Sequence, residues 1–414
     1  MGRRGASGGR DVVVTGVGAV TPVGETAELT WDALLAGESG VGRIQQFDPT
    51  EYDLRATTAC EIDAPLDPPE GVDDRSAGRA ATVGLLAALE AVDDAGFDSD
   101  DPDWTPDRVA TSVGCALGGV PEMERQIRSG GRPDPRFLLS YLSSLIGGHL
   151  SRLVDARGQA RTSAGACAAG AHAIADAVDD IRLGRADVAV AGGAEAAISP
   201  TSVGGFGAMR ALSARTENPA AASRPFDADR DGFVLGEGAG MLVLETRERA
   251  RKRGAPVYAE VTGTSLSADA HHPTRPAEGG TGLKRAVERA LADANRRPAA
   301  IDHVNAHGTS TQAGDAAEAA ALNAVFEGCP PVTSVKGQLG HALGAAPAIE
   351  AVVVAKTLAT GRLPPTRNYA TPDSDCDLPV VADPTYADPE TVVSTAAGFG
   401  GTNAALVFER GSER

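Results

Sequence analysis

Residues able to do covalent and proton-transfer chemistry recur in glycine-rich stretches of this chain. Cys167 stands in Arg161-Thr-Ser-Ala-Gly-Ala-Cys-Ala-Ala-Gly170, His307 in Asn305-Ala-His-Gly-Thr-Ser-Thr311, and His341 in Lys336-Gly-Gln-Leu-Gly-His-Ala-Leu-Gly344. Together they offer a nucleophile, two imidazole hydrogen-bond donors and, in Lys336, a cation. The pattern predicts a short extended run before Cys167 and a helix over 168–183 after it. The free N–H groups at that helix start would then face the sulfur. Such placement lowers a cysteine pKa from about 8.5 to roughly 3.5–7.5, so a thiolate is expected. Taken singly, a cysteine among Ala and Gly also fits a small buried hydrophobe, and a loop histidine a solvated surface group.

The elements that must position these groups follow from the apolar runs. Strands are expected at 11–17, 109–114, 187–193, 241–245, 257–264, 301–305 and 332–335, with a last pair ending near Gly398–Gly401 and Glu409. Helical patterns fill Glu28–Ala36, 77–95, 150–158, 168–183, 281–294 and 347–360. The stretch from 37 to about 69 reads as mobile, and Arg247–Arg253 as a basic hinge. Strands alternating with helices imply an α/β fold, a layered sheet with helical cover. The same grammar runs twice, which divides the chain into a loose tail (1–10), a first half (11–253) and a second half (254–414).

Composition narrows the function classes. The 414 residues carry a net charge of −18, so nucleic acid and anionic membrane are poor partners and an acidic partner needs a local basic patch. Five scattered cysteines (60, 115, 167, 329, 376) form neither a disulfide framework nor a C-x-x-C pair, which points to a reducing cytoplasm. No wholly apolar run of membrane-spanning length is visible. Other motifs fail on inspection. Gly16, Gly18 and Thr21 break the dinucleotide pattern. Asp227-Ala-Asp-Arg-Asp-Gly232 imitates a calcium loop, yet Gly238 stands where the bidentate Glu belongs, so a structural turn is expected. His271-His272 has no companion metal cluster, His172 reads as a core residue of its helix, and the Arg-rich 125–136 segment as a solvated face.

Six runs carry a resemblance over nearly the whole length: 166–170, 187–195, Arg224-Pro-Phe-Asp-Ala-Asp-Arg-Asp-Gly-Phe-Val-Leu-Gly-Glu-Gly-Ala-Gly240, 304–315, 334–350 and Gly398-Phe-Gly-Gly-Thr-Asn403. In this order they resemble the elongating β-ketoacyl-acyl-carrier-protein synthases of the thiolase superfamily. The resemblance implies a duplicated thiolase-like fold, layered α-β-α-β-α, with two pseudo-symmetric halves. It implies that Cys167 accepts the acyl chain and that His307 and His341 bind the malonyl thioester oxygen. Lys336 would orient the second histidine's loop, with Glu350 as its ion-pair partner. The N–H groups of Cys167 and Phe399 would form the oxyanion hole, with Phe399 a gate between Gly398 and Gly400, and Thr309 and Thr311 would hold the pantetheine arm. Arg210, then Arg75 and Arg79, would dock an acyl carrier protein. No cofactor or metal is implied, the substrates riding on the carrier's phosphopantetheine. A dimer is implied, with itself or with a chain-length-factor homologue of a type II polyketide or polyene system. Gly165, Gly337, Pro347 and Ala397 depart from the family pattern, and Ala397 bears on substrate choice.

Overall fold

Nine consecutive buried residues make up Val12–Val20 (β1), and this explains its unbroken apolar run: the strand is covered on both faces. In the computed structural model, which describes residues 10–97 and 104–411, the first half adds Val109–Gly114 (β2), Ala160–Ser163 (β3), Val188–Glu195 (β4) and Gly238–Thr246 (β5). The second half contributes Ala259–Ala268 (β6), His303–Asn305 (β7), Val332–Thr333 (β8), Thr391–Gly398 (β9) and Thr402–Arg410 (β10). The strand order is β8-β7-β9-β10-β6-β1-β5-β4-β2-β3.

Counted outward from the centre, each half therefore runs first, fifth, fourth, second, third. Directions match as well: the inner two pairings of each half are antiparallel and the outer two parallel. Within the large sheet the halves join through a short antiparallel contact, Val13 opposite Glu260 and Val14 opposite Ala259.

Helices complete five layers. Arg79–Asp94 (α1) and Ser144–Leu153 (α2) cover the outer face of the first half through Val83, Leu85, Ile146 and Leu150. Ala169–Arg182 (α3), Thr281–Asp293 (α4), Gln312–Val325 (α5) and Ala346–Thr360 (α6) follow in chain order. α3 and α6 lie between the two sheet halves, where Ile174, Ile181, Val352 and Leu358 pack with Leu242, Val261 and Phe408. α4 and α5 cover the outer face of the second half. The Ala-rich middle helices let the layers approach closely, as the scarcity of aromatics, 4% of residues, requires. α3 and α6 are each entered through a 3-10 turn, Ala166–Ala168 and Leu343–Ala345. Each turn opens on a left-handed residue, Ala166 at φ 48° and Leu343 at φ 45°.

Several expectations are corrected. The 150–158 segment is only the last turn of α2 and a loop beyond it. The supposedly mobile 37–69 stretch holds strands Val41–Arg43 and Thr58–Cys60, which pair with each other, and Thr58–Cys60 pairs in turn with Leu235–Gly236 in a small second sheet. The basic hinge is a helix, Arg247–Arg253, capped by Thr246 and anchored by Arg253 on the buried Glu245 at 2.6 Å. One stretch, Leu343–Thr360, does reach membrane-spanning length and hydropathy, but 89% of it is buried inside the protein as the central helix α6. The tail over 1–9 lies outside the described residues. Arg10 pairs with Asp187.

Candidate active site

The parallel strands deliver their carboxyl ends to one side, where a crevice is expected in an open α/β sheet. β3 leads through Gly165 to Cys167, β7 to His307, β8 to Lys336 and His341, and β9 to Gly398 and Phe399. Cys167, His307, His341, Gly398 and Phe399 line one cavity of about 540 Å³, together with Thr309 and Thr311. The His307 and His341 rings lie 5.3 Å apart at 84°, and Phe233 meets His341 edge-on at 5.3 Å. The backbone of His341 is fixed by its N–H to Val234 O at 2.7 Å and by its carbonyl accepting from Gly236 at 3.0 Å. The N–H groups of Phe399 and of Cys167 itself bear on the sulfur. Only glycine fits at 398, since a Cβ there would lie 2.9 Å from Cys167 N.

Lys336 is nearly enclosed and paired with Glu350. Its Nζ donates to the carbonyl of His307 at 2.6 Å and stands 3.5 Å from His307 Nδ1. The cation thus holds the first histidine's loop, a correction to the expectation that it orients the second's. Removing the carboxylate strands a buried ammonium. Glu350→Ala is expected to cost about 3–5 kcal/mol of folding stability, read from the denaturant midpoint; a loss under about 1 kcal/mol would mean the pair is not the anchor it looks.

The expected thiolate is not what burial produces. Enclosure pushes the Cys167 thiol up to about 11, outweighing the Lys336 charge and the two N–H donors. The group is a thiol at neutral pH, so an attack by this sulfur would require it to lose its proton. Alkylation of Cys167 by iodoacetamide is therefore expected to rise with pH about tenfold per unit from 7 to 10, with no plateau near neutrality. A plateau below pH 8 would restore the thiolate. Both imidazoles are held well below the usual histidine range by burial and then by the Lys336 charge, so they are neutral donors at pH 7. Burial raises Glu350 to about 7 despite Lys336 beside it.

Sequence reading missed the acids that hold the first histidine's loop. Glu318 accepts from His307 N–H at 2.8 Å, Gly308 N–H at 2.7 Å and the Thr395 hydroxyl at 2.7 Å. Asp315 accepts from Thr309 N–H at 3.0 Å and Ser310 N–H at 3.1 Å. The available signal was two acids three apart following the Thr311 cap of α5. The Thr309 and Thr311 hydroxyls meet at 3.0 Å, and Gly400 N–H donates to Pro273 O at 2.6 Å.

Arg210 lines the cavity, as does Arg275, which sequence reading passed over. Arg75 is exposed beside Asp73, away from that lining. Arg79 is corrected: its guanidinium is committed to the fully buried Glu237 at 2.6 and 2.8 Å and to Ile62 O, so it is a structural cation. The departures have local reasons. A Cβ at Gly165 would meet the His172 ring at 3.0 Å, and one at Gly337 would meet Arg367 O at 2.6 Å. Pro347 sits in the first turn of α6, where no helical N–H is lost. Ala397 lines the cavity and leaves it wide there. His172 is half-buried in α3, and His272 Nδ1 accepts from Thr274 and Arg275 N–H in a turn. Asp227 accepts from Asp229, Ala370 and Thr371, a structural turn.

This fold with a cysteine and two histidines at one crevice defines a thiol-dependent condensing-enzyme architecture. Family models for the β-ketoacyl synthase N-terminal domain match residues 9–250, and those for its C-terminal domain residues 258–370. The chain belongs to the β-ketoacyl synthase family. It is 39% identical to 3-oxoacyl-acyl-carrier-protein synthase 2 of Vibrio harveyi, over 98% of this chain and 99% of that one. With the mitochondrial 3-oxoacyl-acyl-carrier-protein synthase of Arabidopsis thaliana it shares 38%, over 96% and 93%. Among solved structures, the ishigamide ketosynthase/chain length factor matches with TM-score 0.90 at 35% identity, over 98% of this chain and all of that one. A type II PKS acyl-carrier protein complex with its ketosynthase bound to the hexaketide matches with TM-score 0.90 at 32%, with the same coverage.

Proposed function

We propose that the protein is a β-ketoacyl-acyl-carrier-protein synthase, performing decarboxylative condensation of a malonyl thioester with an acyl chain held on Cys167. The observation that carries this reading is the convergence of Cys167, His307 and His341 on one cavity, from both halves of the chain. In the first step the Cys167 sulfur attacks the carrier thioester, its oxyanion lies between the Cys167 and Phe399 N–H groups, and the pantetheine thiol leaves with the proton. In the second, neutral His307 and His341 donate to the malonyl thioester oxygen as CO2 departs. The enolate carbon then attacks the acyl-cysteine carbonyl, the C–S bond breaks, and one proton from solvent restores the thiol. Decarboxylation supplies the carbanion without a strong base, so the donors need only stabilise charge that develops on oxygen. No cofactor enters this sequence, and the free thiols fit a reducing cytoplasm.

The carrier protein is the partner, with Arg210 and Arg275 at the cavity mouth of an otherwise acidic protein. Arg210→Glu is expected to raise KM for carrier-bound malonyl groups about tenfold with kcat little changed, measured against a free pantetheine thioester as control. An equal effect on both substrates would remove Arg210 from the dock. Edge strand β3, with Arg161 to Ser163 half-exposed, is the surface for a dimer. A second reading, the catalytic subunit of a type II polyketide or polyene pair, is favoured by the small Ala397 at the cavity wall. Co-expression with a chain-length-factor homologue, followed by size-exclusion, separates homodimer from heterodimer.

A further inference from the structure

A second set of converging backbone donors lies behind Cys167, and it is already filled. Glu195, the last residue of β4, has no solvent exposure. Its carboxylate accepts from the N–H groups of Ala116 at 2.7 Å, Gly118 at 3.1 Å, Leu117 at 3.2 Å and Gly344 at 3.2 Å, and from the Cys115 thiol at 3.4 Å. Burial pushes the Glu195 carboxyl above the usual carboxylate range, and the converging N–H groups and the Cys115 thiol oppose that shift and favour the anion.

The donors come from two separate segments, the loop after β2 and the turn that opens α6. Gly344 takes in that turn the place Cys167 takes in the turn opening α3: each directly follows the left-handed residue, Leu343 or Ala166. The two turns touch. No side chain fits at Gly344, since a Cβ would lie 2.5 Å from Ala116 N and 2.9 Å from Glu195 Oε2. Ala116 and Leu343 share one apolar cluster with Cys167, and Leu343 lines the cavity. The position that on one side of the pseudo-dyad offers its N–H to substrate oxygen thus offers it, on the other, to a carboxylate supplied by the protein.

We propose that Glu195 is a positioning residue for Cys167: a built-in anion that takes up the Gly344 N–H, the dyad-related counterpart of the Cys167 N–H, locks the wall beside the sulfur, and places negative charge behind it. Where it concerns the acyl chain, this rests on the condensing-enzyme reading above; the wall and the charge stand without it. The full chain carrying Glu195→Gln keeps side-chain volume but loses the charge and turns an amide NH2 toward donors. Alkylation of Cys167 by iodoacetamide at fixed pH is expected to quicken about threefold or more, and its pH profile to move to lower pH, as an anion near the thiol is removed. In Glu195→Ala the vacated donors are expected to take formate, returning the alkylation rate toward that of the unaltered protein, whereas chloride at equal ionic strength does not. The acyl chains accepted by either variant should shift in length distribution. Glu195→Gln with an unchanged alkylation profile would overturn the proposal, and it decides the matter even if Glu195→Ala fails to fold. If the unaltered protein forms no acyl-cysteine at all while the alkylation shift is seen, the condensing-enzyme reading falls and the positioning role stands.

Discussion

Cys167→Ala is expected to take up no acyl group from an acyl carrier protein and to lose condensation by a factor on the order of 10⁴ or more. The exchange removes one sulfur from a wall that Phe206, Phe233, Leu343 and Phe399 also build, so the fold and the cavity stay in place. His307, His341 and Lys336 remain where they are, and with them the donors proposed for the malonyl oxygen. The variant should therefore still release CO2 from malonyl carrier while making no longer product. Intact-protein mass after incubation with acyl carrier, together with CO2 evolution, reads the two halves of the reaction separately. An acyl adduct on the alanine variant would place the nucleophile elsewhere.

The opposite split is expected of His341→Ala. Acyl-Cys167 should form at near the normal rate, while decarboxylation falls about 10²–10³-fold, the usual consequence of removing one preorganised donor at a developing oxyanion. Phe233 packs against this imidazole and its backbone is tied at both ends to the strand beside it, so a different side chain cannot easily take over the role. Burial and Lys336 hold both imidazoles neutral, and the sign of that shift sets the pH dependence. The decarboxylation rate should stay flat as pH falls from about 8 to 6, because neither ring gains a proton there. A rate that climbs with acid would mean an imidazolium is the working form, and undiminished CO2 release from His341→Ala would take that histidine out of the site.

The convergence of Cys167, His307 and His341 was legible because these residues sit in loops whose glycines and flanking apolar runs mark strand ends. β2 and the start of α6 were placed to within a residue or two for the same reason. What sequence could not convey was enclosure. The helix start at Cys167 argues for a thiolate, and only the surrounding cavity walls show that burial outweighs it. Lys336 was paired with the wrong histidine loop because its side chain reaches across to β7, a contact with no trace in local spacing. Arg79 looked like a surface cation until Glu237, 158 residues away, was seen to claim it. The short strands around Val41 and Thr58 were missed because three residues are too few to show a period, and the small sheet they join is completed by a remote third strand.

The repeated strand order carries a mechanical consequence. The sulfur hangs from one repeat and both imidazoles from the other, so the gap that the reacting carbon must bridge is gauged by whatever spaces the repeats, namely the alanine-lined pair α3 and α6. Misalignment by about one ångström is enough to slow an enzyme roughly 10²-fold. Bulkier substitutions in that central pair, far from any bound chain, would then surface as lost turnover before they surface as lost structure.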